Sequence, residues 1–165
     1  MNEQIERLLD QVEKPARYTG GEMNAEGKPI GSAEFSFAFC FPDTYEVAMS
    51  HLGMKILYSI INALPYAVCE RVCMPWVDML EGMKRENAPL FSLESRTPLC
   101  AFDCVGFTLQ YEMSYTNILE MLSLGRVPVK AADRGDGDPI VVAGGPCASN
   151  PEPLYAFIDA FMMGD

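Results

Sequence analysis

Short apolar runs that alternate with helical patterns constrain the fold of this chain most strongly. The runs at 103–109 and 139–143 have the length of strands and almost no polar alternation. Such runs are typical of parallel strands that helices cover on both faces. At 34–41, phenylalanines alternate with small residues, which predicts a further strand with one aromatic face.

The other segments complete an alternating order of strands and helices. Strands are predicted at 34–41, 66–73, 90–93, 103–109, 139–143 and 160–163, and helices at 1–14, 45–63, 76–86, 114–124 and from 150 onwards. This alternation predicts the α/β class, with a Rossmann-like or flavodoxin-like three-layer α/β/α architecture and a mostly parallel sheet of roughly five strands. Residues 1–33 are predicted to be a helix-and-loop appendage, and residues 34–165 the domain proper.

Local signals place the helix ends. Asp43 precedes Glu46 by three residues, which predicts a capping box at the start of the 45–63 helix. Gly125 is predicted to end the 114–124 helix as its C′ residue. The predicted core-facing side of the 45–63 helix consists of Ala48, Met49, Leu52, Ile56, Ile60 and Leu64.

The charge balance excludes some classes of partner. The 165 residues include 12 Lys and Arg against 23 Asp and Glu, a formal net charge of −11. Nucleic-acid binding through the general field and polybasic membrane anchoring both need the opposite sign. No apolar run reaches the ~18–20 residues of a membrane span, and the acidic start is unlike a signal peptide. A cytoplasmic location is therefore expected.

The spacing of the six cysteines does not match a complete metal-binding loop. Cys69 with Cys73, and Cys100 with Cys104, share the Cys-x-x-x-Cys spacing that opens the cluster loop of radical enzymes. The third position of that loop holds Trp76 in one case and Phe107 in the other. The interpretation is that the cysteines are reduced, buried thiols, with no metal site.

A ligand is expected at the carboxyl edge of the sheet. In open parallel sheets, ligands bind outside the carboxyl ends of the strands. Gly144 and Gly145 after one strand allow close backbone approach to a phosphate or sugar, and Thr108 offers a hydroxyl at the end of another. Glycines after strands also serve plain tight turns, so these residues alone are a weak signal for a ligand. Neither Gly-x-Gly-x-x-Gly nor a phosphate loop with Lys and Ser/Thr is present.

No catalytic residue emerges from the sequence. His51 is the single histidine, so it has no histidine partner for a metal. It stands beside Ser50 in a predicted helix, and a helix surface is its expected place. The acidic residues are scattered and do not form an acid–base pair.

Four stretches of the sequence occur in the same order in one known protein family. They are FPDTYEVAMSHLG at 41–53, ERVCMPW at 70–76, DCVGFTLQYE at 103–112 and VAGGPCASNPEP at 142–153. From about residue 35 to the end, the chain resembles the N-terminal part of cobalamin-binding-type radical S-adenosylmethionine (SAM) proteins. The resemblance implies a Rossmann-like cobalamin-binding domain followed by a barrel, which carries a [4Fe–4S] cluster and SAM. That downstream barrel of the same polypeptide is the expected partner. The closing Gly-Asp at 164–165 leads to the expectation of a chain trimmed before the barrel, which does not catalyse the radical step alone.

The resemblance also indicates which residues would meet cobalamin. Domains that ligate cobalt through histidine carry Asp-x-His-x-x-Gly, then Ser-x-Leu, then Gly-Gly. Gly144-Gly145 matches the last element and Thr108-Leu109 the second in part, so these four residues are the candidate cofactor-binding set. The first element is absent, because Met49 and Met54 stand at its Asp and Gly positions. Two alternatives stay open: cobalamin held without histidine, and a fold that has lost the ligand. The resemblance accordingly implies a domain that binds cobalamin, or one that caps the barrel and shapes substrate access.

Two other functions remain open. The first is an interaction module without a small ligand, in which side chains such as Tyr45 and Tyr111 would fill the strand-end crevice. The second is a stand-alone α/β enzyme with a different cofactor, against which the absent phosphate loops and the single histidine count.

Overall fold

The structure, a computed structural model that describes residues 2–164, contains one five-stranded sheet. All neighbouring strands run parallel, in the order β2-β1-β3-β4-β5. The strands are β1 (Phe35–Phe41), β2 (Ala67–Cys73), β3 (Cys104–Thr108), β4 (Ile140–Gly144) and β5 (Ala160–Met162). The predicted α/β class and parallel sheet are confirmed, and the order is that of flavodoxin-like folds.

Helices lie on both faces of the sheet. They are α1 (Asn2–Leu9), α2 (Tyr45–Ser50), α3 (Leu52–Ala63), α4 (Val77–Glu86) and α5 (Tyr115–Leu124). Buried side chains of α2 and α3 pack on one face of the sheet, and those of α4 and α5 pack on the other, which is the arrangement that right-handed crossovers produce. Within residues 2–164, no helix is both long and apolar enough to cross a membrane.

The alternation along β1 separates two hydrophobic clusters. Phe39 and Phe41 pack with Met54 and Tyr58 of α3. The intervening small residues belong to a larger core that α1, α4 and α5 share; it includes Ile5, Leu8, Cys40, Met79, Met83, Val105, Ile118, Met121 and Val141. Since α1 contributes fully buried side chains to this core, the N-terminal segment packs against the domain. The division at residue 33 stays a prediction.

The predicted 45–63 helix is wrong in one respect, because two helices meet at His51. His51 has an extended backbone, and its Nδ1 accepts a hydrogen bond from the Met54 amide at 3.2 Å, which caps α3. The predicted capping box is also wrong, since Thr44 is the N-cap of α2 and Asp43 accepts from the Thr44 amide.

The apolar side predicted to face the core is correct at Ala48 of α2, which is buried, but wrong along α3. Met54 and Tyr58 are the buried residues of this helix, while Leu52, Ile56 and Ile60 are exposed. Apolar residues occur on most of the α3 circumference, so periodicity could not tell which side meets the sheet.

Three smaller predictions differ from the structure. Residues 90–93 form only an isolated bridge between Phe91 and Pro98. The segment after residue 150 forms short 3-10 turns rather than an α-helix, since it has only two buried anchors, Leu154 and Ile158. Gly125 keeps a right-handed backbone, and Arg126 takes the positive φ of 59°.

Side chains occupy the free hydrogen-bonding edge of β2. The Asn62 amide accepts from Cys69 N and donates to Cys69 O, both at 2.9 Å, in the manner of a neighbouring strand. Further along, Leu93 N donates to Arg71 O, and Arg71 N donates to Glu94. The sheet therefore presents no long unpaired row at this edge, where another chain could pair.

Candidate cofactor-binding edge

The predicted ligand residues meet at the carboxyl edge of the sheet. Thr108 ends β3, and its register partner Gly144 ends β4. The strand order changes direction between β1 and β3, so the crevice beside β3 is the topological switch point, where ligands of such sheets bind. The structure thus brings Thr108, Leu109, Gly144 and Gly145 together at one edge of the sheet.

Close backbone approach joins the loops that follow β3 and β4. Leu109 N donates to Gly144 O at 2.6 Å, and Cys147 N donates to Leu109 O at 3.1 Å. Gly145 has a φ of 110°, and a Cβ added there would lie 2.9 Å from the Leu109 oxygen. Gly145 is therefore required by the contact between the two loops themselves, whereas a Cβ on Gly144 would make only ordinary contacts.

Two amide side chains form hydrogen bonds beside the crevice between β1 and β3. Gln110 Nε2 donates to the buried Thr108 hydroxyl at 2.5 Å. Asn117, one turn into α5, donates to the Pro42 oxygen at 2.9 Å and so ties α5 to the loop after β1. Asn117 was not predicted from the sequence, where its only signal is a polar residue early in an apolar helix that follows a strand end.

Exposed apolar side chains surround this edge. Tyr111 is 51% exposed, so it does not fill the crevice, and Met113 next to it is also exposed. Met162 and Met163 are exposed at the end of β5. Tyr45, the other residue expected to fill the crevice, instead donates to Glu22 at 2.7 Å. The edge therefore combines fixed polar groups with an accessible apolar rim, the usual composition of sites for small cofactors.

His51 has a structural role in this arrangement. Besides capping α3, its ring packs against Phe41, with the ring centroids 5.3 Å apart. It therefore lies at the α2–α3 junction, rather than on the helix surface expected for it.

A buried charge cluster lies beside the edge strand. Arg71 is 6% exposed, and its Nε and Nη2 donate to Glu94 and Glu22, each at 2.6 Å. The guanidinium also lies 4.9 Å from the ring centre of Tyr58. Burial lowers the pKa of Arg71, but the two carboxylates outweigh it and raise that pKa, so Arg71 stays charged. Burial and the neighbouring Glu22 raise the pKa of Tyr45 to about 12.

This cluster forms the floor of a cavity of about 760 Å³ under the loop at residues 22–26, next to α2 and α3. The charge cluster was not predictable from the sequence, because its charged members are far apart in the chain. Both carboxylates are already engaged by Arg71, and Tyr45 occupies the remaining oxygen of Glu22. We therefore interpret the cluster as a structural one that holds the 22–26 loop and the 90–95 loop against β2.

The cysteines behave as packing residues. All six are free thiols, and residues 2–164 contain no group of three or more His, Cys, Asp or Glu that could hold a metal. Burial raises the pKa of Cys73 to about 12 and that of Cys104 to about 11. Since the thiolate is the nucleophile and the metal ligand, these thiols are unreactive near neutral pH.

Slow alkylation of the buried thiols is the expected result at pH 8. A raised pKa keeps the thiol neutral, so the reactive fraction of Cys73 and Cys104 increases only as the pH approaches about 11–12. Burial raises the pKa of Cys40 and Cys69 still further. Iodoacetamide labelling followed by peptide mass spectrometry should modify Cys40, Cys69, Cys73 and Cys104 much more slowly in the native chain than in urea. Equal rates in the two conditions would contradict the burial argument.

Comparison with known proteins identifies the family. A family model described as "Radical SAM proteins, N-terminal" matches residues 53–165. The chain belongs to this family. The matched range includes α3, all strands after β1, and the Thr108–Gly145 edge, which agrees with the resemblance derived from the sequence.

Among curated proteins, this radical SAM N-terminal chain is similar to an uncharacterized protein of Methanocaldococcus jannaschii. The two are 32% identical over 80 residues, which is 48% of this chain and 16% of that relative. The aligned stretch thus spans a small part of a much longer protein. No solved structure matches the chain.

Proposed function

We propose that this chain is the corrinoid-binding N-terminal domain of a radical SAM enzyme. The observation that carries the proposal is the meeting of Thr108-Leu109 with Gly144-Gly145 at the carboxyl edge, beside the switch point of a sheet with flavodoxin order. In the part of the polypeptide beyond this domain we place the [4Fe–4S] cluster, SAM and the radical step.

The residues present suit a corrin held without a protein histidine. The exposed apolar rim of Tyr111, Met113 and Met163 suits a broad, partly apolar ring. His51 does not suit cobalt ligation, because its Nδ1 accepts from the Met54 amide, which leaves the proton of the neutral ring on Nε2. The Asp and Gly of the histidine motif are also absent. A bound corrinoid would supply a cobalt ion that changes oxidation state and carries alkyl groups.

The roles of the chain's own residues follow from the edge. The Gly144-Gly145 backbone leaves the end of β4 free of side chains, which allows close approach of a large ring. The hydroxyl of Thr108 and the amide of Gln110 form a polar pair that can turn toward a polar substituent. No residue of this domain is assigned a catalytic role.

Equilibrium dialysis against hydroxocobalamin, followed by a visible spectrum, tests the proposal. We expect binding by the wild-type chain and at least about tenfold weaker binding by Gly144→Val, whose branched side chain would occupy the edge. Gly137→Val is the matched control, since its added Cβ meets open space in a distant loop. His51→Ala should leave the spectrum of the bound corrinoid unchanged.

Absence of binding by both this chain and the longer natural polypeptide would overturn the proposal. The domain would then be the ligand-free interaction module considered from the sequence. Equal binding by Gly144→Val and Gly137→Val would move the corrin away from the predicted edge. Membership of a family described as an N-terminal region already favours a part of a larger enzyme over the stand-alone enzyme.

A further inference from the structure

One face of the sheet is incompletely covered. Along β4, Val141 and Ala143 are buried against the main core, but Ile140 on the opposite face is 59% exposed. Along β5, Met162 on that same face is 66% exposed. Both faces of a parallel sheet are normally covered, and the apolar run at 139–143 has the composition of a strand with two covered faces. The β4–β5 half therefore has an apolar face without a partner.

The neighbouring side of α3 is also apolar and exposed. Asn62 on one flank of α3 bonds to the outer edge of β2, and Lys55 and Ser59 face the cavity beside Arg71. The opposite flank must therefore point toward β3 and β4, and it carries Leu57 and Ile60, which are 49% and 55% exposed. We call this flank together with Ile140, Val142 and Met162 the open face.

The open face has the width of one helix. Parallel strands are spaced by about 4.8 Å, so the region from β3 to β5 measures roughly 10 Å across, against a helix diameter of about 10–12 Å. Its floor is smooth, since Phe37 lies over Gly106 and β4 contributes only Val142 and Gly144 near its end. Its lining is apolar, so its occupant must present an apolar stripe.

The handedness of the fold indicates where such a helix comes from. The step from β1 outward to β2 places α2 and α3 on this face, and the steps in the opposite direction place α4 and α5 on the other face. A chain that leaves β5 at the far edge and returns toward β1 moves in the same direction as the β1–β2 step. If the connection after β5 keeps the right-handed sense of strand–helix–strand crossovers, its helix lies on the α3 side, over the open face.

We propose that the open face is the docking site for an amphipathic helix of the same polypeptide, the first helix after β5. Membership of a family described as an N-terminal region and the much greater length of the curated relative support further chain as the source. The proposal does not depend on corrinoid binding. It predicts that the apolar stripe of this helix packs against the open face and buries Leu57 and Ile60.

Hydrogen–deuterium exchange of this chain and of the longer natural polypeptide tests the proposal without any cofactor. We expect the amides of α3 and of β4–β5 to exchange at least tenfold more slowly in the longer polypeptide. A version extended past residue 165 by only about 25 residues, enough for a short connection and one helix, should show the same gain.

Two variants of neighbouring residues separate docking from general stability. Ile60→Glu places a charge on the open face and should abolish the gain in the longer polypeptide. Ser59→Glu places the same charge on the other flank of α3 and should retain it. In the 165-residue chain, both variants should leave exchange unchanged, because both positions are exposed there.

Three results would overturn the proposal. The first is equal exchange in the wild-type short and long polypeptides. The second is a gain that only the whole protein shows and the 25-residue extension lacks, since the occupant would then lie elsewhere. The third is a gain that depends on protein concentration together with a dimer in analytical ultracentrifugation, which would make a second copy the occupant.

Discussion

Replacement of Arg71 by methionine is expected to lower the free energy of unfolding by about 3–5 kcal/mol. The guanidinium neutralises two carboxylates, and Glu94 keeps only 10% of its side chain exposed. Without Arg71, the Glu94 charge would remain in a site from which water is largely excluded. An uncompensated buried charge of this kind is strongly destabilising. Urea unfolding followed by circular dichroism measures the change.

A matched control and a double variant test whether the effect comes from the buried Arg71 cluster. Arg85→Met removes an arginine whose side chain is 60% exposed, and its effect should stay within about 0.5 kcal/mol. Combining Arg71→Met with Glu94→Gln removes the stranded charge and should recover part of the loss. If Arg71→Met and Arg85→Met unfolded at the same urea concentration, the cluster would have no structural role.

Gly145→Ala is expected to destabilise the chain by about 3 kcal/mol, since strain at such a backbone and overpacking each cost about 1–3 kcal/mol. The backbone at Gly145, with φ of 110° and ψ of −177°, belongs to a region that is open almost only to glycine. An added Cβ would also meet the Leu109 oxygen at 2.9 Å. The loops after β3 and β4 would have to separate.

Gly144→Ala is the matched control for this prediction, one residue away in the same loop. Its added Cβ would lie 3.5 Å from Met162, an ordinary contact, so the change should stay within about 1 kcal/mol. Thermal unfolding of the two variants side by side provides the measurement. Similar melting temperatures for both would show that the Gly145 backbone relaxes without cost.

The candidate edge was predictable in position but not in detail. Thr108 and Gly144-Gly145 follow strands that local patterns reveal, and parallel strands align their carboxyl ends at one edge. That the glycine pair joins the Leu109 backbone could not be predicted, because the contact is between residues 36 positions apart. The Arg71 cluster escaped for the same reason: Glu22 and Glu94 reach it from two separate loops.

Sequence by itself determined the five strands of the sheet and the fold class, although it also predicted a strand at 90–93, where the structure has only an isolated bridge. The phenylalanine alternation of β1 and the apolar runs of β3 and β4 are local signals, and a parallel arrangement follows from helices between them. All five helices also lie within segments predicted as helical. The break at His51 was not predictable, because it depends on a hydrogen bond from the Met54 amide to one imidazole, which caps the second helix.

Only the tertiary structure decided which apolar surfaces are buried. Leu57 and Ile60 are as hydrophobic as Met54 and Tyr58, and the chain contains apolar residues on nearly every side of α3. Burial depends on which elements are present to cover a face, and that is a property of the assembled layers rather than of any segment. The exposed half of the sheet beside α3 is therefore visible only once β4 and β5 take their places.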